Sequence, residues 1–116
     1  ERYLEALRVL PNHSQAHGNL GVAYQDLGEL DEAQRHYRHA VYLNPKDWLT
    51  LKNLGNVLYE LASTDLENGR TEIAGDRLAE GRMFVLQALR LNPAVPNGRQ
   101  VLQAIESRLQ ALRGRG

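Results

Sequence analysis

The fold is decided by residues 14–45, which read SQAHGNLGVAYQDLGELDEAQRHYRHAVYLNP. Identical residues recur 34 positions apart in and around this stretch: Tyr3 and Tyr37, Ala6 and Ala40, Asn19 and Asn53, and Leu20-Gly21 and Leu54-Gly55. A constant period of this length is typical of arrays in which each repeat packs against the next. The sequence therefore predicts a stacked helical array.

The order of residues within the stretch resembles a known family. The residues that carry the resemblance are Leu20-Gly21-x-x-Tyr24, Ala33-x-x-x-Tyr37-x-x-Ala40 and Pro45, and they resemble the tetratricopeptide repeat. The resemblance covers residues 1–93 and implies an all-α, right-handed solenoid of antiparallel helix pairs. The chain departs from the family pattern at His17, where Trp is frequent, and at Leu58, which takes the place of Tyr24. Both positions keep a bulky side chain, so the fold prediction stands.

Apolar periodicity and prolines divide this single domain into four parts. We predict the second half of a repeat over 1–12, a regular repeat over 14–47, an elongated repeat over 48–93 and a capping helix over 97–113. The distance from Pro45 to Pro93 is 14 residues longer than the period. Apolar positions stay in helical phase on both sides of Asn68-Gly69, a strong turn signal. Each helix of the second pair should therefore be about seven residues longer.

The regular repeat itself should contain a tight turn at Gly28. We predict that Asp31 is the N-cap of the helix that follows this turn. Gly21 and Ala33 are small, and we expect them where the paired helices cross. A large residue at Gly21 should split the pair.

Composition places the chain among soluble globular proteins and gives no global charge. The sequence has 42% hydrophobic and 24% charged residues, with 14 basic and 14 acidic side chains and no Cys. We therefore expect neither nucleic-acid nor membrane binding, because no field would attract the chain to an anionic surface and no apolar run approaches the ~20 residues of a spanning helix. The chain begins without Met inside a predicted helix, which we interpret as a piece of a larger protein. The compartment stays open, with the cytoplasm favoured.

Residues that could carry catalysis or bind a metal are scattered or incomplete. His13 with His17, and His36 with His39, have helical spacing, but two ligands rarely make a metal site. The Gly18–Gly21 run lacks the preceding strand and the Lys-Ser/Thr of a phosphate loop. We interpret these residues as ordinary histidines and a helix-packing glycine, and we expect no catalytic residue, no metal and no cofactor.

Asparagines at equivalent positions suggest a peptide-binding groove. In the resembled family the first helix of each repeat lines a concave groove, where Asn19 and Asn53 would follow one another. They resemble the asparagine ladder in the repeat region of the O-linked N-acetylglucosamine transferases, where amides hydrogen-bond an extended main chain. We expect five further residues in this groove: Lys52, Asn56, Gln15, Val22 and Tyr59. The alternative is that both asparagines are surface polar residues.

The spacing of Lys52 and Asn56 also resembles half of the clamp by which chaperone cofactors hold a C-terminal carboxylate. The rest of the clamp is missing, because Arg99 stands where an Asn would be expected. Three functions stay open: an adaptor or scaffold binding an extended peptide, a substrate-recruiting region of a larger enzyme such as a glycosyltransferase, and self-assembly. Self-assembly would use the apolar side of the half repeat, formed by Tyr3, Leu7 and Leu10.

Overall fold

The computed structural model describes residues 14–115 and consists of five α-helices joined by short turns. They are α1 (Ser14–Asp26), α2 (Leu30–Leu43), α3 (Trp48–Glu67), α4 (Thr71–Leu91) and α5 (Gly98–Arg115). Each helix packs against the next one along the chain, and α3 also packs against α5. The prediction of an all-α helical-repeat solenoid is confirmed.

Both helix pairs close with the same three-residue turn. Gly28 and Gly69 take the left-handed conformation, with φ of 79° and 75°, which glycine adopts without the steric cost that a Cβ brings. The residue after each glycine donates its backbone N–H to a carbonyl five residues back, at 2.9 Å from Glu29 to Tyr24 and 2.8 Å from Arg70 to Asp65. These bonds satisfy carbonyls that the helix end leaves unpaired.

The predicted N-cap of α2 is wrong. Helix α2 begins at Leu30, its N-cap is Glu29, and the Glu29 side chain makes no capping hydrogen bond. Asp31 instead lies in the first turn, where a negative charge is still favourable. Because the turn has only three residues, the Glu29 backbone hydrogen-bonds to both helices. Its N–H donates to the Tyr24 carbonyl of α1, and its carbonyl accepts from the Ala33 N–H of α2 at 3.0 Å.

The second helix pair is longer than the first. Helices α1 and α2 have 13 and 14 residues, whereas α3 and α4 have 20 and 21, so each gains seven. The turn between them is unchanged, and the additional length, about two turns or ~10 Å per helix, lies in the helices themselves. Near the tip, the buried carboxylate of Asp65 accepts from Arg77 Nη1 at 2.8 Å and from Arg70 Nε at 3.2 Å.

Small residues allow close packing of the helices within each pair. A Cβ placed on Gly21 would lie 2.6 Å from Cδ1 and Cε1 of the buried Tyr37 ring, and Ala33 is fully buried beside it. In the second pair, a Cβ on Gly55 would collide with Val85. The apolar core consists of three groups of buried side chains, which share the partly buried residues Val41, Phe84 and Leu89, and Tyr24 of α1 packs against the first group.

The repeated Leu-Asn-Pro segments form equivalent turns after α2 and α4. Asn44 Oδ1 accepts from the Lys46 N–H at 3.3 Å, and Asn92 Oδ1 accepts from the Ala94 N–H at 3.0 Å. After the second turn, α5 buries Ile105 in the core of the long pair and leaves Arg99 and Gln103 exposed. A capping helix requires an apolar inner side and a polar outer side, and the capping role of α5 stays a prediction.

The half repeat predicted over 1–12, with its Tyr3, Leu7 and Leu10 stripe, lies outside the described residues. Self-assembly through that stripe therefore stays a prediction. Within residues 14–115, none of the helices combines the length and the apolar character that crossing a bilayer requires.

Candidate functional site

A groove of about 470 Å³ lies between α1 and α3, the first helices of the two pairs. Amides, hydroxyls and two apolar side chains provide most of its surface. It is lined by Ser14, Gln15, Gly18, Asn19 and Val22 from α1, by Asn44 and Asp47 from the turn, and by Leu49, Thr50 and Asn53 from α3.

The two asparagines owe their equivalent placement to the residue pairs that follow them. Leu20-Gly21 and Leu54-Gly55 are buried. Gly21 faces Tyr37 of α2 and Gly55 faces Val85 of α4, while Leu54 packs with Ala33 and Tyr37 of α2. Since one residue is a rotation of about 100° on a helix, the preceding Asn is turned out of the core and into the groove. Asn19 is exposed and Asn53 is half-buried. Neither side-chain amide has a hydrogen-bond partner among the described residues.

The two walls of the groove lie close together where Gly18 of α1 faces Thr50 of α3. A Cβ placed on Gly18 would be 3.4 Å from Thr50 Oγ1, an ordinary van der Waals distance. Thr50 is fixed from its other side, because Asp47 accepts its N–H at 3.3 Å and its hydroxyl at 2.7 Å. Helix capping and groove shape thus depend on the same Asp–Thr pair.

The Gln25 side chain links α1 to both α3 and α2 by hydrogen bonds. Gln25 Nε2 donates to Glu60 Oε1 at 3.0 Å, and Gln25 Oε1 accepts from the Tyr37 hydroxyl at 2.7 Å. Burial raises the pKa of Tyr37 well above its usual value, with a smaller contribution from the negative charges of Asp26 and Glu60.

The structure brings together four of the residues that the sequence predicts for the groove: Asn19, Asn53, Gln15 and Val22. The other three, Lys52, Asn56 and Tyr59, lie outside its lining. Tyr59 packs with the core around α5, and the Arg108 guanidinium carbon lies 5.8 Å from its ring centroid. Asn56 is half-buried on α3. Arg99, considered above as a substitute in the carboxylate clamp, is exposed in the first turn of α5.

Lys52 directly precedes the groove residue Asn53 in sequence. It is half-buried, and burial lowers the pKa of its ammonium group. Within residues 14–115 it forms no salt bridge or hydrogen bond. An anionic group beside Lys52 would offset this desolvation.

Sequence reasoning missed a cluster of three histidines between α1 and α2. His17 is 5% exposed, its ring stacks on His39 with centroids 3.9 Å apart, and its Nδ1 lies 3.4 Å from the Nδ1 of His36. Helical spacing pairs histidines that are close in sequence, whereas the observed contacts join His17 on α1 to His36 and His39 on α2. The signal that could have revealed this cluster is His17, a polar and planar residue at a position where the resembled family often has Trp.

The histidine cluster lacks the geometry of a metal site. The planes of His17 and His39 differ by only 17°, so their nitrogen lone pairs do not converge on one point. In the part of the chain that the structure describes, no three His, Asp or Glu side chains are placed to hold a metal ion. His13, the other predicted partner of His17, lies outside the described residues.

Comparison with known proteins gives one family match and two kinds of relative. The tetratricopeptide repeat model matches residues 14–47. The Photosystem I assembly protein Ycf3 of Synechococcus sp. strain CC9605 is 35% identical over 97 residues, and that of strain WH7803 is 32% identical over 96 residues. Both matches cover 80% of this chain and 56% of the relative. The chain thus spans about half the length of these curated relatives.

The second kind of relative is a larger protein. The protein O-mannosyl-transferase TMTC4 of Mus musculus is 41% identical over 60 residues, which are 52% of this chain and 8% of that protein.

Proposed function

We propose that this chain, which belongs to the tetratricopeptide repeat family, is a non-catalytic protein-interaction module that binds an extended peptide segment between α1 and α3. The observation that carries the proposal is the pair Asn19 and Asn53, whose amides line one groove and have no hydrogen-bond partner among the described residues. A side-chain amide both donates and accepts. Two in succession therefore suit the alternating N–H and C=O groups of an extended main chain.

The rest of the groove is suited to an uncharged portion of such a ligand. Val22 and Leu49 line it and are 41% and 44% exposed, so they can contact an apolar ligand side chain. Asp47 is the one ionisable residue among the ten lining residues, and its carboxylate accepts a hydrogen bond from the Thr50 hydroxyl. Main-chain hydrogen bonds would supply general affinity, and the apolar contact would supply the side-chain preference.

Lys52 is expected to contribute only when the ligand carries an acidic group beside the groove. Its ammonium group is half-buried and lacks an anionic partner within the described range. Replacing Lys52 by Gln should weaken binding of an acidic peptide and leave a neutral peptide unaffected. That weakening should shrink at high salt, because salt screens an ion pair that is partly exposed to solvent.

An adaptor or scaffold role in the assembly of a protein complex fits this binding mode. The Ycf3 relatives are described as Photosystem I assembly proteins, and their similarity over 80% of this chain supports an assembly role here too. The partner would then be a subunit or another assembly protein that exposes an extended segment.

Affinity capture with two matched variants tests the proposal. Val22→Glu places a charged side chain in the groove, whereas Leu27→Glu makes the same kind of change at a 74% exposed position outside it. Proteins from an extract of the source cells should be captured by the parent and by Leu27→Glu but not by Val22→Glu. Equal capture by all three, with circular dichroism unchanged, would place the binding surface elsewhere.

A second candidate function is favoured by the similarity to an O-mannosyl-transferase. In this case the chain would be the substrate-recruiting region of a larger enzyme such as a glycosyltransferase. The groove would hold the acceptor protein rather than a subunit of a complex. Sequencing the complete gene product separates the two candidates, because a catalytic domain would be visible beside this region.

A further inference from the structure

Three histidines that the proposed ligand site does not use meet where α1 packs on α2. The buried ring of His17 stacks on His39, and its Nδ1 faces the Nδ1 of His36 at 3.4 Å. The ring of Tyr24 stacks on His36 with centroids 5.5 Å apart and planes 7° apart. The junction therefore contains four aromatic rings, of which three are imidazoles.

The contact between two Nδ1 atoms limits how many protons this junction can hold. In the neutral pair one Nδ1 donates its hydrogen and the other accepts it. A first additional proton can bind the Nε2 of the donor ring and leave this hydrogen bond intact. A second must bind the accepting Nδ1, which removes the hydrogen bond and brings two positive rings together.

The groups around His36 mostly oppose its protonation. Burial lowers the pKa of His36, and the positive charges of His17 on α1 and of His39 and Arg35 on α2 act in the same direction. Glu32 on α2 acts in the opposite direction. Its carboxylate is also shared with Arg35 Nη2 at 3.2 Å, and its side chain is 43% exposed, so the favourable charge is partly neutralised and screened.

We propose that His17, His36 and His39 form an acid-sensitive junction, at which protonation loosens α1 from α2. An unfolded chain takes up histidine protons near pH 6.5, whereas His36 in the folded chain takes them up at lower pH. The unfolded state therefore binds more protons in this interval. The stabilisation that depends on neutral His36 is fully present above pH 6.5. It is lost as the pH falls through the folded-state pKa of His36. This inference does not depend on the proposed ligand.

Thermal unfolding of the chain at pH 7.5 and pH 5.5 tests the proposal. Two variants, His36→Phe and His39→Phe, keep a stacked ring; the first removes the His36 imidazole and the second removes a neighbour whose charge lowers the pKa of His36. The Tm of the parent should fall between these pH values by roughly 5 °C more than the Tm of either variant. His39 is exposed, so His39→Phe remains informative if His36→Phe does not fold.

A control removes a charge that titrates outside this interval. Arg38 holds the pKa of Glu80 below its usual value by hydrogen bonding and by its charge, so Glu80→Gln should leave the Tm difference between pH 7.5 and pH 5.5 unchanged. Proton NMR of the parent should show the imidazole signals titrating together with amide signals of α1. Equal Tm losses in the parent and both Phe variants, or histidines that titrate while α1 signals stay constant, would overturn the proposal.

Discussion

Arg77 donates to the buried carboxylate of Asp65 at 2.8 Å and joins α4 to α3 near the tip of the long helix pair. Asp65 also accepts from Arg70 Nε at 3.2 Å, so two basic side chains converge on one acid. Arg77 is 28% exposed and Asp65 only 4% at its side chain. Because it is buried, the carboxylate depends on these donors for its hydrogen bonds.

Replacing Asp65 by Asn should destabilise the long pair. The substitution keeps the size of the side chain but removes its charge, and the loss expected for hydrogen bonds to a charged group is about 1.5–3 kcal/mol. Urea unfolding followed by circular dichroism measures this change. The control is Glu106→Gln, because Glu106 and Arg82 pair at 2.9 Å with side chains 46% and 47% exposed. Such exposed pairs contribute about 0–1 kcal/mol, and similar losses in both variants would contradict a special role for Asp65.

Replacing Gly21 by Ala should push α1 away from α2. The new methyl group would lie 2.6 Å from two carbons of the Tyr37 ring, and Tyr37 is itself 1% exposed and cannot move into solvent. Overpacking of this kind costs roughly 1–3 kcal/mol. Gly75→Ala is the matched control, since the nearest atom of a neighbouring helix to its Cβ would be Leu112 Cδ1 at 3.9 Å. There the change should stabilise by about 0.5–1 kcal/mol; a loss at Gly75 would argue against a steric origin of the effect at Gly21.

The sequence predicts contacts that depend on backbone periodicity and misses those that depend on side-chain reach. Leu20-Gly21 and Tyr37 follow from spacing, because a fixed helical period fixes the face on which each residue lies. The pairing of Asp65 with Arg77 does not follow, because it crosses between helices and depends on how far a flexible Arg extends. The histidine contacts also cross between helices, so the in-helix spacing of His36 and His39 could not reveal His17 between them.

Of the residues predicted for the groove, some follow from the repeat period and others do not. Asn19 and Asn53 share one period and line one groove. Tyr59 is six residues beyond Asn53, which turns it to another side of α3, where it packs near Arg108. Which residues Tyr59 contacts on that side depends on how α5 packs, and the 34-residue period does not determine this packing.

Tyr37 should make the chain sensitive to alkaline pH. Burial raises the pKa of Tyr37 above the ordinary 10.0, so above pH 10 the unfolded chain has lost a proton that the folded chain keeps. Stability present below pH 10 should therefore fall as the pH rises from 9 to 11. Tyr37→Phe removes this dependence, although it also loses the hydrogen bond to Gln25 and about 1 kcal/mol at neutral pH. Urea unfolding of both proteins at the two pH values measures the difference, and parallel losses would show that another group titrates.

The strongest test of the proposed groove is the double substitution Asn19→Ala/Asn53→Ala. Each amide should contribute hydrogen bonds to the main chain of the ligand worth ~1 kcal/mol, so affinity for a captured partner peptide should fall about tenfold or more. Gln100→Ala/Gln103→Ala removes two exposed amides from α5 and should leave the affinity unchanged. Isothermal titration calorimetry gives the dissociation constants, and circular dichroism checks that the helices persist. Parental affinity in the double Asn variant would make both residues surface polar side chains without a role in binding.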